Sequence, residues 1–395
     1  MRNWRSRICS TAEVLRSPRI VRGCGISAFF LIPDLQMTRW TEAEAKAWGA
    51  ARPWVCGCNF LPSSSVNFIE MWRAETFDMP TIERELGWAA NAGFNAIRVN
   101  LPFVGWREDR DGLVDRLDRV IGAADRLGID TVPVLFDDCG FGGQEPVWSP
   151  QDDPVPGVHN SRAVASPGRQ AVLDVGLRGA LEAYVRDVGR SFRADRRILL
   201  WDLYNEPGNR MTFGIAGYSE FDSRLEDSAL SLMEGAFSWA RGEAPNQPLT
   251  VAAWTTPRAD EGANAYCTAT DRRALECSDL VSFHAYLNRD RVAGYIDDLA
   301  ELRRPIFCTE WMARPVDSKI SDQLSLFHDR GVGCFQWGLV KGRTQTWLPW
   351  PDDLVRAHGG RVDRSLWFHD LFREDGTPYD ACEVEKIREL TTSAG

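Results

Sequence analysis

Two glutamates stand where apolar segments end. Glu206 closes Trp201-Asp202-Leu203-Tyr204-Asn205-Glu206-Pro207, and Glu310 lies at the end of Phe307-Cys308-Thr309-Glu310-Trp311. A charge emerging from a buried run costs free energy unless it is paired or used. The two residues are far apart in sequence, but they close the fourth and seventh of a series of similar apolar runs. A fold that sets those runs side by side can bring both carboxyl groups to one opening. Two facing carboxyl groups are what cleavage of a glycosidic bond requires. One donates a proton to the leaving oxygen, while the other attacks the anomeric carbon or activates water. A single Glu at a strand end is as readily a structural ion-pair partner. Two of them in these positions favour chemistry.

Other polar residues sit in comparable places. Arg98 lies inside Ala96-Ile97-Arg98-Val99-Asn100, where it either keeps a catalytic carboxylate ionised or forms a buried Arg–Asp pair. Ser282-Phe283-His284-Ala285-Tyr286 places His284 and Tyr286 on one face at period two. Trp337 ends Phe335-Gln336-Trp337-Gly338, and Asp137 and Asp138 follow the run Val134-Leu135-Phe136. The adjacent Asp pair raises the question of a metal, but no second group of ligands accompanies it and no catalytic metal is expected. Lys341, Gln345 and Trp347 fall in a segment with a Gly between two cations. It lacks the phosphate-loop pattern, so these three are expected to contact sugar at a rim. His159 is expected to be a solvated surface residue. No G-x-S-x-G elbow supports a serine esterase, and no cofactor is expected.

Eight apolar runs must position these residues: Trp54–Asn59, Ala96–Asn100, Thr131–Phe136, Ile198–Leu203, Leu249–Ala252, Leu280–His284, Ile306–Thr309 and Gly333–Gly338. They are continuous rather than alternating, as parallel strands covered on both faces should be. Amphipathic stretches lie between them, at Thr81–Ala92, Leu113–Leu127, Val172–Phe192, Phe221–Arg241, Val292–Arg303 and Ile320–Arg330. The link between the fifth and sixth runs is the least helical. Gly93, Gly128 and Gly331 stand where helices would end. Strand–helix alternation repeated in this way implies a (β/α)8 barrel. An open doubly wound sheet is the runner-up, without the G-x-G-x-x-G fingerprint of its dinucleotide version. Long loops run from Asp137 to Pro167 after the third strand and from Lys341 to about Arg364 after the eighth. Both leave strand C-terminal ends, where barrel enzymes build their sites.

The segments W-D-L-Y-N-E-P and F-C-T-E-W resemble the acid/base and nucleophile motifs of clan A glycoside hydrolases, most nearly family 5, over roughly residues 54 to 390. The resemblance implies a retaining double displacement with Glu206 as general acid/base and Glu310 as nucleophile. It implies that Asn205 binds the sugar hydroxyl next to the reacting carbon. His284 and Tyr286 are similar to the family's His and Tyr, the Tyr hydroxyl contacting the nucleophile. Trp337 resembles its aromatic platform. The family has a His after the third strand, where this chain has Asp137-Asp138-Cys139. An Asp there would take over a sugar hydroxyl contact or pair with Arg98.

Composition sets the boundaries. The chain has 395 residues and a net charge of −10, which disfavours nucleic acid and anionic membranes as partners. The 16 Trp could fill a core or line a sugar site. Ten Cys without a C-x-x-C pair argue against zinc and lean toward free thiols and a reducing, cytoplasmic setting, although Cys267 and Cys277 could bridge if the protein is secreted. Residues 1–36 are expected to be a poorly ordered extension or a weak signal sequence around Ile26–Ile32, with one catalytic domain over 37–395. Besides hydrolysis of a carbohydrate substrate, the alternatives are transglycosylation at the same site and a non-catalytic carbohydrate-binding barrel.

Overall fold

The computed structural model describes residues 39–258 and 264–392. The expected N-terminal extension, residues 1–36, lies outside the described residues. Eight strands form one sheet: β1 (Cys56–Asn59), β2 (Ala96–Asn100), β3 (Asp130–Asp137), β4 (Trp201–Asn205), β5 (Leu249–Thr250), β6 (Val281–His284), β7 (Ile306–Trp311) and β8 (Gly333–Trp337). Neighbours pair in parallel in the order β5-β4-β3-β2-β1-β8-β7-β6. The seam between β5 and β6 closes through one bridge, Ala253 to Phe283. There the Ala253 N–H donates to the Ser282 carbonyl and the His284 N–H to the Ala253 carbonyl, both at 3.0 Å. The fold is therefore the (β/α)8 barrel rather than the open sheet.

Burial on both faces explains the continuous apolar runs. Every residue of β1, β2, β4, β6 and β7 is buried. Packing around β1 is close enough to require glycine: a Cβ on Gly57 would stand 2.5 Å from the Ala96 carbonyl oxygen and 2.7 Å from the Phe335 ring. Trp72, Trp201 and Trp311 are fully buried, so part of the tryptophan content is core.

The helices depart from expectation where capping chemistry intervenes. The first helix after β1 in the barrel ring, Met79–Ala92, starts two residues early because Asp78 accepts the Thr81 N–H. It ends at Gly93, whose φ of 102° is open to glycine. The stretch expected as one helix from Val172 breaks into Arg169–Leu173, a 3-10 turn at Val175–Leu177 and Arg178–Phe192. Asp174 bonds the Gly176 N–H at 2.8 Å, offering the backbone an alternative to the helix. Strand β4 lies further along the chain than its apolar run, with Ile198 contributing only a bridge to Thr131. The unexpected elements include the hairpin Met211–Gly214 with Gly217–Glu220, the helix Ala269–Cys277 between β5 and β6, the outer helix Ala381–Thr392 and short helices such as Phe68–Trp72 and Asp352–Ala357. No described helix is long and apolar enough to cross a membrane. Cys267 and Cys277 are free thiols.

The last helix is tied to the barrel by a buried ion pair. Arg314 donates to Glu383 from Nε at 2.9 Å and from Nη2 at 2.5 Å, and both side chains are under a tenth exposed. The same guanidinium donates to the carbonyls of Trp367, His369 and Asp370. Removing one partner of such a pair leaves an uncompensated charge. Arg314→Met is expected to cost about 3–5 kcal/mol in urea unfolding, and adding Glu383→Leu should recover much of it. A single-mutant loss below about 1 kcal/mol would contradict this role.

Candidate active site

The site is built around Arg98, whose side chain is wholly buried inside the barrel. Its guanidinium donates to Asp202 Oδ2 from Nε at 2.9 Å, to Asn59 Oδ1 at 2.7 Å, to Asn205 Oδ1 at 2.6 Å and to Glu310 Oε1 at 3.0 Å. Burial opposes its charge, but Asp202 and Glu310 outweigh burial and raise its pKa. Both sequence readings of Arg98 are realised together: it pairs with an Asp and with a candidate catalytic Glu. Asp137 is not bonded to it. That carboxylate accepts from Asn100 at 2.7 Å, from Asn205 at 2.9 Å and from the Cys139 N–H at 2.8 Å.

Glu310, on β7, accepts from the Tyr286 hydroxyl at 2.9 Å on the oxygen that Arg98 leaves free. Glu206 follows β4 with φ of 44°, a left-handed conformation that costs a non-glycine residue about 1 kcal/mol or more. Strain of this kind persists where the surroundings fix it. Here Asn209 donates to Glu206 Oε2 at 2.6 Å, the Cys139 thiol lies 3.1 Å from the same oxygen, and His284 Nδ1 is 2.8 Å from Oε1. Oxygens of Glu206 and Glu310 and a ring nitrogen of His284 all lie within 4.8 Å of one another. This trio is the cluster among the described residues that could hold a metal ion. The donors already on both carboxylates, Arg98 above all, would compete with a cation there.

The electrostatics of the two carboxyl groups differ in their partners. Burial pushes the Glu206 pKa up, against neutral donors from Asn209 and Cys139 and the more remote Arg98. Burial also pushes Glu310 up, with Glu206 adding to it, while Arg98 and the Tyr286 hydroxyl pull it back. His284 is kept neutral by burial, its pKa lowered to about 4. The Cys139 thiol is pushed well up by burial, so it stays protonated as a donor.

Both glutamates line a cavity of about 400 Å³ at the C-terminal ends of the strands. Arg98, Asp137, His284, Tyr286 and Trp337 line it too. Asn205 lies directly behind, bonded to Arg98 and Asp137. Asp138 is turned away from the cavity: it accepts from the Tyr204 hydroxyl at 2.9 Å and the Gly208 N–H at 2.7 Å, and burial raises its pKa to about 7. The expected rim residues are also elsewhere. Lys341 sits over the Trp347 ring at 5.1 Å and pairs with Glu374, Gln345 bonds the Val155 and Val158 carbonyls, and Trp347 packs on Trp367. None of the three is among the lining residues. The same loop instead supplies Trp350, Leu354 and His358 to the cavity.

His159 is the clearest correction. Expected at the surface, it is buried and lines the cavity, because its loop folds onto the loop after β8. Its Nδ1 meets the Leu348 carbonyl at 2.7 Å and its ring packs edge-on to His369 at 5.3 Å. Residues the sequence reading passed over are Asn59, Asn100, Cys139 and Asn209. Asn59 and Asn100 end apolar strands, the same signal that selected Glu206. Asn209 and Cys139 gave no comparable sign.

No sequence-family profile matches the chain, and no curated protein matches it in sequence. Solved structures do match in fold. GH5_18 from Streptomyces cattleya, in complex with GlcNAc, superposes with a TM-score of 0.57 at 15% identity, over 87% of this chain and 80% of that one. The endo-1,4-β-mannanase of Rhizomucor miehei gives 0.56 at 12% identity, over 87% of this chain and 95% of the other. The hyperthermostable endo-1,4-β-D-mannanase of Thermotoga petrophila, with maltose and glycerol, gives 0.52 at 17% identity, over 87% and 100%. The chain thus carries the (β/α)8 barrel fold of these proteins.

Burial makes His159 a pH-dependent liability. It lowers the pKa from the ordinary 6.5 to about 4, against the bond to the Leu348 carbonyl. The unfolded chain takes up this proton near pH 6.5, the folded one only near pH 4, so stability falls as pH drops through that window. His159→Asn keeps a donor for the carbonyl and removes the penalty. The stability of the wild type relative to H159N is expected to fall by up to about 3 kcal/mol between pH 7 and pH 4 in urea unfolding. A difference that does not move with pH would show that His159 is not held neutral.

Proposed function

We propose that the protein is a retaining glycoside hydrolase acting on β-glycosidic bonds, with Glu206 as general acid/base and Glu310 as nucleophile. The observation that carries this reading is the convergence of the two carboxyl groups, oxygens within 4.8 Å, from the ends of β4 and β7 on one cavity. Facing oxygens this close favour a direct attack on the anomeric carbon, for which carboxyl groups stand about 5–5.5 Å apart, over the wider spacing of an inverting enzyme. Two of the structures that share its fold are described as endo-1,4-β-mannanases, which supports a glycoside-cleaving reading.

The partners divide the roles. Glu310 holds the guanidinium of Arg98 and the Tyr286 hydroxyl, a set that favours its ionised form. Glu206, buried and surrounded by neutral donors, is the better place for the single proton the pair shares. In the first step a Glu310 oxygen bonds the anomeric carbon, the glycosidic C–O bond breaks, and the Glu206 proton moves to the leaving oxygen. In the second, Glu206 takes a proton from water, the water oxygen bonds the anomeric carbon, and the Glu310 ester bond breaks. Neutral His284, bonded to Glu206, keeps that carboxyl oriented in both steps.

A panel of aryl β-glycosides with anomer analysis by NMR tests the proposal. The first-formed product should be the β anomer, and the pH profile should be bell-shaped, its acid limb reporting Glu310 and its alkaline limb Glu206. Glu310→Gln and Glu206→Gln should each lower kcat at least about a thousandfold on glycosides with poor leaving groups, with the native fold retained by circular dichroism. The proposal fails if either variant retains near wild-type turnover, or if the first product is the α anomer.

A further inference from the structure

The two sides of the cavity differ in chemistry. Beside Glu310 stand Arg98, Tyr286 and Asn59, groups that can meet sugar hydroxyls. Glu206 marks the other side. An acid that protonates the leaving oxygen must stand next to the leaving group, so the segments around Glu206 build the leaving-group side. Those segments send apolar side chains into the cavity. Cys139, which touches Glu206, lies two residues before Phe141, and Asn209, which also touches it, lies two before Met211. Phe141, Met211 and Phe213 all line the cavity.

These side chains form a built wall. The Phe141 and Phe213 rings stack with centroids 4.4 Å apart and planes 3° from parallel, and the Phe213 N–H donates to the Phe141 carbonyl at 2.8 Å. They join Val158 and Leu354 in one apolar cluster, with Met211, Tyr218 and Trp350 packed against it. Buried Arg169 fixes the hairpin that carries Phe213. It donates to the Asp138 carbonyl at 3.1 Å, Thr212 Oγ1 at 3.1 Å and the Met211 carbonyl at 2.7 Å. The wall is thus held in place rather than left to fold around a ligand.

Resting on the hydrolase reading, we propose that the leaving group is apolar: an aryl or alkyl aglycone rather than a further sugar. Phe141, Phe213, Met211 and Leu354 offer no partner to a sugar hydroxyl turned toward them, and a hydroxyl buried unpartnered is costly. An alkyl chain or aryl ring there gains from leaving water, up to about fourfold in equilibrium per fully buried methylene.

The test compares β-glycosides of one sugar, chosen by the aryl panel, that differ only in aglycone: methyl, butyl, hexyl and the corresponding disaccharide. For the full-length wild type, kcat/KM should rise at least thirtyfold from methyl to hexyl, and the disaccharide should fall below hexyl. Phe213→Ala, and separately Met211→Ser in case the first variant folds poorly, should reduce the hexyl-to-methyl ratio at least fivefold. A second arm needs no turnover: binding of methyl and hexyl 1-thio-β-glycosides, read by tryptophan fluorescence, should differ at least tenfold in favour of hexyl. Turnover and binding that ignore chain length, or a disaccharide preferred over hexyl, overturn the apolar assignment and leave the hydrolase reading standing. Chain-length-dependent binding with no turnover of any glycoside sinks the hydrolase reading, and the leaving-group assignment with it.

Discussion

A single buried cation organises the centre of this barrel. Arg98 has no access to solvent, and a guanidinium in that position is tolerable only with its donors met. Asp202 supplies the compensating charge from β4, Glu310 from β7, while Asn59 and Asn205 supply neutral acceptors from β1 and β4. One residue thus sets the registers of four strands against each other at the end where the cavity opens. The same demand holds Glu310 in one orientation, because moving it would strip Arg98 of a partner. Active-site geometry and barrel-core electrostatics are here one problem with one solution.

Strand geometry made much of this legible from sequence. A polar residue inside or at the end of a buried parallel strand must face the barrel interior or its mouth, so Arg98, Glu206, His284, Tyr286 and Glu310 could be singled out from the apolar runs, and Trp337 with the help of the family resemblance. All six line one cavity. The rule stops where the strands stop. Lys341, Gln345 and Trp347 were chosen for residue type in a loop whose path the sequence does not encode locally, and they pack on other loop residues. His159 misled for the same reason: a Pro- and Gly-rich segment reads as solvated, although here it folds onto the loop after β8 and buries its imidazole. The short hairpin after β4 has no long alternating run to announce it, yet it contributes Met211 and Phe213 to the wall.

The barrel and the loops therefore divide the labour differently. The barrel provides charge, protons and hydroxyl partners in fixed positions. The loops after β3, β4 and β8 provide shape and apolar surface, and they pack mainly on one another through Phe141, Phe213, Val158 and Leu354. Loops that hold each other can change in composition while the carboxyl groups stay where the strands put them. This is consistent with a fold shared with other solved structures at identities of only 12–17%.

The ion pair between Arg314 and Glu383 also orders events in time. Every residue named as lining the cavity precedes Glu383 in the chain, and the loop bearing His369 and Asp370 hangs from the same guanidinium. During synthesis, a ribosome that has released residues up to Asp370 has delivered the whole cavity but not the anion that steadies its last loop. Until the helix Ala381–Thr392 emerges, Arg314 lacks the carboxylate it pairs with, so the mouth cannot take its final form before that helix is made.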